Sequence, residues 1–161
     1  MLKIHKVYVV LIAIMITMVV YAIIKEIPQR PQIIYGEFPF CVEYEIDGER
    51  IVVSDTVICE YNGVNYGSNG AKRNWIKRLS KRGTEDLLLL SEENKKIYCT
   101  VGDADYYMGD SEETKFIPVL YIEEYDSELK MTTHKSYIEK DEKHKIKLLS
   151  FEFAEPIVNS F

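Results

Sequence analysis

Residues 7–24 constrain what this chain can fold into more than any other segment. The run of 18 residues, VYVVLIAIMITMVVYAII, has no charged side chain and one plainly polar one, Thr17. A helix of that length spans about 27 Å, close to the roughly 30 Å hydrocarbon thickness of a bilayer. Lipid cannot satisfy free backbone polar groups, so a segment placed there must be helical. The sequence therefore predicts a transmembrane helix at 7–24, with the lipid bilayer as its partner.

A cleaved signal peptide and a buried core helix are the competing interpretations of this segment. A signal peptide ends in a small-residue cleavage site, whereas Ala22 is followed by two isoleucines and a lysine. A core helix is usually shorter and carries polar residues along one face. We favour an uncleaved anchor of a single-pass membrane protein.

The basic residues around the anchor predict its orientation. Lys3, Lys6 and the α-amino group precede the run, and Lys25 and Arg30 follow it. The excess of positive charge on the first side favours residues 1–6 as a cytoplasmic tail. The expected location is the cell membrane, with the large domain outside.

Residues 25–32 read as a short, stiff spacer. Pro28 and Pro31 lie within them, and proline blocks helix continuation and favours extended backbone. The six residues 27–32 reach at most about 20 Å. The domain is therefore expected close to the membrane surface.

Residues 33–161 suit one compact domain built mostly of strands. Phe38, Phe40, Val42 and Tyr44 alternate with other residues, and Asp47-Gly48 is a strong hairpin-turn signal. Further strands are expected at 50–61, 86–90, 97–101, 116–125, 131–138 and 145–153, with a charged hairpin tip at 139–144. The predicted fold is an N-terminal transmembrane helix followed by a mainly antiparallel β domain, a sandwich or a partly open barrel, with one short helix.

The charge of the domain excludes one class of partner. Three of the 20 basic and one of the 26 acidic residues lie before residue 28, which leaves 17 basic and 25 acidic residues in residues 28–161 and a formal charge of −8 for the domain with the end of its spacer. Binding to a phosphate backbone needs a positive surface. We expect no nucleic-acid partner.

The basic segment, residues 72–82, contains six basic residues and no acidic one. Trp75, Ile76 and Leu79 lie at helical spacing and Gly83 suits a cap, so the pattern predicts the short helix at 71–82. One interpretation is an ordinary amphipathic helix with solvated or paired charges. The other is a site for an anionic membrane surface or for an acidic membrane or envelope protein. The candidate binding residues are Lys72, Arg73, Lys77, Arg78, Lys81 and Arg82.

The acidic segment, residues 103–110, reads DADYYMGD and is expected to be a loop. Clustered oxygen ligands suit Ca²⁺, which makes Asp103, Asp105 and Asp110 candidate metal ligands, although their spacing differs from that of an EF-hand. The simpler interpretation is a surface connection whose Asp side chains cap turns.

Three cysteines, Cys41, Cys59 and Cys99, leave two possibilities open. Alternation places Cys59 and Cys99 with apolar neighbours, as small buried hydrophobes. A Cys59–Cys99 disulfide is the alternative. No cysteine has a histidine at zinc-ligand spacing, so a zinc site is not expected.

Four segments resemble a group of small membrane-anchored proteins of Gram-positive bacteria that has no assigned function. The resemblance implies a one-pass anchor and an extracytoplasmic domain, and it adds no catalytic residue. The segments are residues 36–40 (GEFPF), 54–60 (SDTVICE), 106–110 (YYMGD) and 155–161 (EPIVNSF).

The leading functional hypothesis is a non-catalytic interaction module that acts at the membrane surface through the basic segment. The alternative is an extracytoplasmic ligand or calcium sensor that uses residues 103–110. An unrecognised enzyme is third, because no catalytic or cofactor motif is found in the sequence.

Overall fold

The computed structural model describes residues 2–68, 70–126, 131–138 and 145–161. The expected hairpin tip at 139–144 lies outside these residues. The elements, in chain order, are α1 (Leu2–Glu26), β1 (Tyr35–Ile46), β2 (Glu49–Gly67), β3 (Gly70–Leu79), β4 (Leu87–Ser91), β5 (Lys95–Cys99), α2 (Ala104–Tyr107), β6 (Leu120–Asp126), β7 (Met131–Ile138) and β8 (Lys147–Phe153).

The strands form two antiparallel four-stranded sheets, as predicted for a mainly β domain. The first sheet has the order β3-β2-β1-β8 and the second has the order β4-β5-β6-β7. Residues of both sheets and of α2 share one hydrophobic cluster, an arrangement consistent with a β-sandwich. Side chains of this cluster that are fully buried include Val42, Val57, Leu79, Ile97, Tyr107, Met108, Leu120 and Ile146.

The hairpin between β1 and β2 follows the sequence signal closely. Ile46 pairs with Glu49 across Asp47 and Gly48, whose φ angles are +51° and +85°. Positive φ at both central positions is the backbone of a type I′ turn, whose twist matches that of the flanking strands. Phe38, Phe40 and Val42 are all buried, as their alternation predicts.

The predicted helix at 71–82 is wrong, because these residues form β3 and the turn after it. Strand β3 pairs along its length with β2, and this pairing satisfies backbone groups that a lone helix would satisfy internally. Trp75 and Leu79 fit both periods, since they are four residues apart and four is an even number. The helical spacing that Ile76 suggested is not realised; its side chain is exposed.

A second difference concerns the acidic segment, which was expected to be a loop. It contains α2, bracketed by two glycines with positive φ, Gly102 and Gly109. A Cβ at Gly109 would lie 2.4 Å from the carbonyl oxygen of Ile157. The glycine is therefore needed for close packing as well as for its φ angle.

Helix α1 covers the predicted anchor, and its residues 7–24 carry no charged side chain. Its described side chains, at residues 8, 9 and 11–22, are all exposed. Over the residues whose side chains the structure describes, no helix combines the length and hydropathy needed to cross a bilayer.

The cysteines are free thiols, so the alternative disulfide between Cys59 and Cys99 is not formed. Both residues are fully buried. Burial raises the pKa of each thiol to about 12, since a low-dielectric surrounding disfavours the thiolate. They behave as small hydrophobic residues, as the first interpretation predicts.

Candidate functional site on strand β3

Strand β3 places successive side chains of the basic segment on opposite faces of the first sheet. Leu79 is fully buried, and Arg73 and Lys77, on the same face, are partly buried. Lys72, Ile76 and Arg78, on the other face, are exposed. The six basic residues therefore do not form one surface, because the strand separates them.

Arg73 is held by three groups from distant parts of the chain. Its Nη1 lies 2.5 Å from Oδ1 of Asp110, and its Nε donates to the carbonyl oxygen of Gln29 at 2.8 Å. Its guanidinium also lies 3.9 Å from the ring centroid of Phe161. Trp75 Nε1 donates to the second oxygen of Asp110 at 2.8 Å. Asp110 thus fixes two side chains of β3 at once.

Lys77 is held by a second carboxylate. Its Nζ lies 2.9 Å from Oδ1 of Asp86 and donates to the carbonyl oxygen of Gly102 at 2.8 Å. Tyr121 donates to the other oxygen of Asp86 at 3.2 Å. Burial, and then the negative charge of Asp86, raise the pKa of Tyr121 well above its ordinary value. The phenol is therefore neutral at physiological pH and acts as a hydrogen-bond donor.

The end of the basic segment is engaged as well. Asp55, whose side chain is fully buried, accepts from Arg82 Nη1 at 2.7 Å and from the backbone N–H groups of Thr56 and Lys81. Lys81 Nζ donates to the carbonyl oxygen of Ser54. On the outer face, Arg78 pairs with Glu60 at 2.9 Å.

Five of the six candidate basic residues therefore have partners within the domain, and Lys72 has no ion pair among the described residues. The carboxylates that hold Arg73 and Arg82 lie 37 and 27 residues away in sequence, and the one that holds Lys77 lies nine residues away, beyond the turn that ends β3. Sequence reasoning had no signal for Asp55 and Asp86 as partners, because side-chain pairing across elements depends on the fold.

The three candidate calcium ligands have different surroundings. Asp110 accepts from Arg73 and Trp75. Asp103 is 86% exposed with one oxygen 3.9 Å from Lys77 Nζ, and Asp105 accepts from the N–H of Tyr106. Among the described residues, no group of three or more His, Cys, Asp or Glu side chains is placed to hold a metal ion. The calcium site remains a sequence prediction.

A cleft of about 500 Å³ lies between β3 and the segments opposite it. One wall is formed by five consecutive residues of β3, and the other by residues of the loop before β4 and of the acidic segment. The lining residues are Arg73, Asn74, Trp75, Ile76, Lys77, Glu85, Asp86, Asp103, Ala104 and Asp105.

The spacer is attached to this side of the domain. Asn159 accepts from the N–H of Ile33 at 3.0 Å and donates to its carbonyl oxygen at 2.8 Å. Gln32 donates to the carbonyl oxygen of Ser160, and Pro31 is buried. Together with the contact between Arg73 and Gln29, these bonds fix the segment that follows α1 against the domain.

Comparison with known proteins gives no further information on this site. The chain matches no protein-family model, no curated protein and no solved structure. The resemblance to membrane-anchored proteins of Gram-positive bacteria remains a prediction.

Proposed function

We propose that this chain is a single-pass membrane-anchored, non-catalytic interaction module whose β domain acts at the membrane surface, outside the cell. The observation that carries the proposal is α1, which exposes apolar side chains around its whole circumference. The cleft along β3 is the proposed contact surface. A membrane or envelope protein is the proposed partner.

The anchor proposal rests on the full sequence of α1. Tyr8, Val9 and Met18 are each more than 60% exposed although they lie on different sides of the helix. A helix that is apolar all round needs an apolar surrounding, either a protein core or lipid. No element of the described domain covers these side chains, and the uncharged run of residues 7–24 has the length of a bilayer span.

The attached spacer supports action near the membrane surface. Residues 29–33 bond to Arg73, Asn159 and Ser160, so the domain begins within a few residues of the end of α1. With α1 in a bilayer, this attachment would hold β3 close to the headgroups. A partner that meets this surface would be one confined to the same membrane or to the adjoining envelope.

The chemistry of the cleft favours binding over catalysis. Arg73 and Lys77 are each held by a carboxylate, and Tyr121, behind the cleft, donates a hydrogen bond to Asp86. Cys59, opposite Lys77 on β2, is fully buried, does not line the cleft, and has a pKa of about 12. These groups are poor nucleophiles and poor bases near pH 7, but they form a fixed surface.

The topology is tested with cysteine labelling in intact cells. In a Cys41→Ser background, Glu93→Cys should react with a membrane-impermeant maleimide before permeabilisation, and His5→Cys only after it. The protein should also stay in the membrane pellet after alkaline carbonate extraction. Release by carbonate, or labelling of residue 5 alone in intact cells, would overturn the anchor or its orientation.

The interaction half of the proposal is tested with a photo-crosslinking residue at Ile76, which is 44% exposed on β3, and a matched one at Val158, which is 93% exposed. The expected result is a discrete cross-linked species from position 76 in intact cells and none from position 158. Equal patterns from both positions would contradict a partner at β3.

A further inference from the structure

Strand β3 is an outer strand of the first sheet, and its free edge carries unpaired backbone groups. The direction of each group follows from one hydrogen bond: Ser80 N–H donates to the carbonyl oxygen of Thr56, the residue opposite it. In an antiparallel ladder, bonded and non-bonded pairs alternate. Ile76 and Arg78 therefore bond to β2, whereas Trp75 and Lys77 point their N–H and C=O groups away from it.

A second bond supports this assignment. Leu79 N–H donates to the carbonyl oxygen of Thr84, on the side away from β2, and Leu79 has the same parity as Trp75 and Lys77. Among the described residues, no backbone group bonds to the N–H or C=O of Trp75 or Lys77 on this side. Such groups are a template for an added strand.

The cleft runs along this edge. Side chains of a strand alternate between its faces, so a cleft lined by five consecutive residues, 73–77, must follow the backbone rather than one face. Its volume of about 500 Å³ lies within the range of ligand clefts, roughly 300–1,000 Å³. An extended chain is the shape that fits beside a strand edge.

The wall of the cleft opposite β3 favours an extended peptide of one charge. Glu85, Asp103 and Asp105 are exposed there, whereas the cations of the cleft, Arg73 and Lys77, are neutralised by Asp110 and Asp86. The uncompensated charge of the cleft is therefore negative. Basic side chains on the face of an added strand that meets this wall would be attracted, and acidic ones repelled.

We propose that the free edge of β3 binds an extended peptide segment as an added strand, with basic side chains at alternate positions facing Glu85, Asp103 and Asp105. This proposal rests on the interaction function above and names the chemistry of the partner. A second copy of β3 is a poorer occupant, because its Arg73 and Lys77 are already paired with Asp110 and Asp86 and would bring no free positive charge to the acidic wall.

The binding test uses the full chain in nanodiscs of phosphatidylcholine, whose zwitterionic surface does not attract a basic peptide. The probe is a fluorescent seven-residue peptide that alternates Lys and Val. Two further peptides carry backbone N-methyl groups at the odd or the even positions, which removes donors but leaves every charge. We expect saturable binding, weakened at least tenfold by one of the two methylation patterns.

Protein variants test the wall. Asp103→Asn with Asp105→Asn should weaken peptide binding several-fold, whereas Glu93→Gln, an exposed acid on another surface, should not change it. Equal binding of all three peptides, equal binding to the wall variant, or equal binding to empty nanodiscs would overturn the proposal.

Amide exchange gives the most specific readout. In the free protein, the N–H groups of Trp75 and Lys77 should exchange faster than those of Ile76 and Arg78, and the peptide should slow the first pair alone. Slowing of all four, or of none, contradicts an added strand.

A separate measurement tests whether the protein in detergent, without nanodiscs, associates with itself. Self-association without peptide binding would assign the free edge to a second copy of β3 instead. These measurements do not depend on membrane topology, so their failure is separate from a failure of the labelling experiment.

Discussion

The basic segment and the acidic segment face each other across one cleft, but they keep different shares of their charge. In the basic segment, Arg73 and Lys77 are both held by carboxylates and are less than one-fifth exposed. In the acidic segment, Asp110 is held in the same way, whereas Asp103 and Asp105 remain exposed. A segment that is basic in sequence can therefore line a cleft whose available charge is acidic.

The comparison is sharpest between two adjacent residues, Arg73 and Lys72. Arg73→Glu would place a second negative charge against Asp110 in a partly buried site, and we expect a loss of about 4 kcal/mol in the free energy of unfolding. Lys72→Glu changes the same charge on an exposed side chain and should cost within about 0.5 kcal/mol. Chemical denaturation of the full chain in detergent, followed by Trp75 fluorescence, measures both. Equal effects would show that the pairing of Arg73 does not stabilise the domain.

The same contrast recurs one step along the cleft, between Asp86 and Glu85. Asp86→Ala removes the partner of Lys77 and Tyr121 and leaves an ammonium group that is 10% exposed without its carboxylate. We expect a loss of about 3 kcal/mol, against a change within about 0.5 kcal/mol for Glu85→Ala. If Asp86→Ala lowered the free energy of unfolding less than Glu85→Ala does, the contacts of Asp86 with Lys77 and Tyr121 would not stabilise the domain.

The pH dependence of stability under alkaline conditions tests the burial of Cys59, which lies in the core beneath the cleft. Burial raises the pKa of Cys59 from 9.0 to about 12, so the unfolded state loses its thiol proton first. The protonated Cys59 thiol stabilises the folded state relative to the unfolded state. This stabilisation is complete below pH 9 and is lost as the pH rises through about 12. By pH 10 we expect Cys59 to account for a loss of about 1–2 kcal/mol.

The matched variants for this titration are Cys59→Val and Cys41→Ser. The valine variant should lose stability less steeply between pH 9 and pH 10, whereas the serine variant, changed at a partly exposed residue, should follow the unmodified chain. Identical slopes for all three proteins would show that Cys59 is not the group that titrates.

The smallest expected effect concerns the attachment of the spacer. Asn159→Ala removes both hydrogen bonds to Ile33 at an exposed site, which should cost about 1 kcal/mol or less. The more sensitive readout is limited proteolysis, with cleavage within residues 28–34 several-fold faster than in Val158→Ala. Equal cleavage rates would mean that the bond of Arg73 to Gln29 and that of Gln32 to Ser160 hold the spacer without Asn159.

The sequence predicts those parts of the fold that depend on neighbours in the chain. Alternation at Phe38, Phe40 and Val42 and the Asp47-Gly48 turn were sufficient for β1 and the first hairpin, because both signals are local. The basic segment was misread as a helix because Trp75 and Leu79 fit both the helical and the strand period. Pairing with β2 makes the segment a strand. The register of a strand and its ladder partner are not local properties.

The candidate site was predictable in part for the same reason. Both charged segments were recognised from composition, but they were treated as two independent sites. The facing arrangement of Arg73 and Asp110, 37 residues apart, depends on the path of the chain through α2 and both sheets. The free edge of β3 could not be predicted at all, because the sequence does not give the order of strands.

A double-mutant cycle on Arg73 and Asp110 tests the central claim most directly, namely that the two segments neutralise each other across the cleft. The cycle compares Arg73→Ala, Asp110→Ala and the double variant by denaturation of the full chain. The account predicts a favourable coupling of at least about 1 kcal/mol, with the double variant more stable than the sum of the single losses implies. Additive losses within about 0.3 kcal/mol would contradict it, because two residues that do not interact lose stability independently.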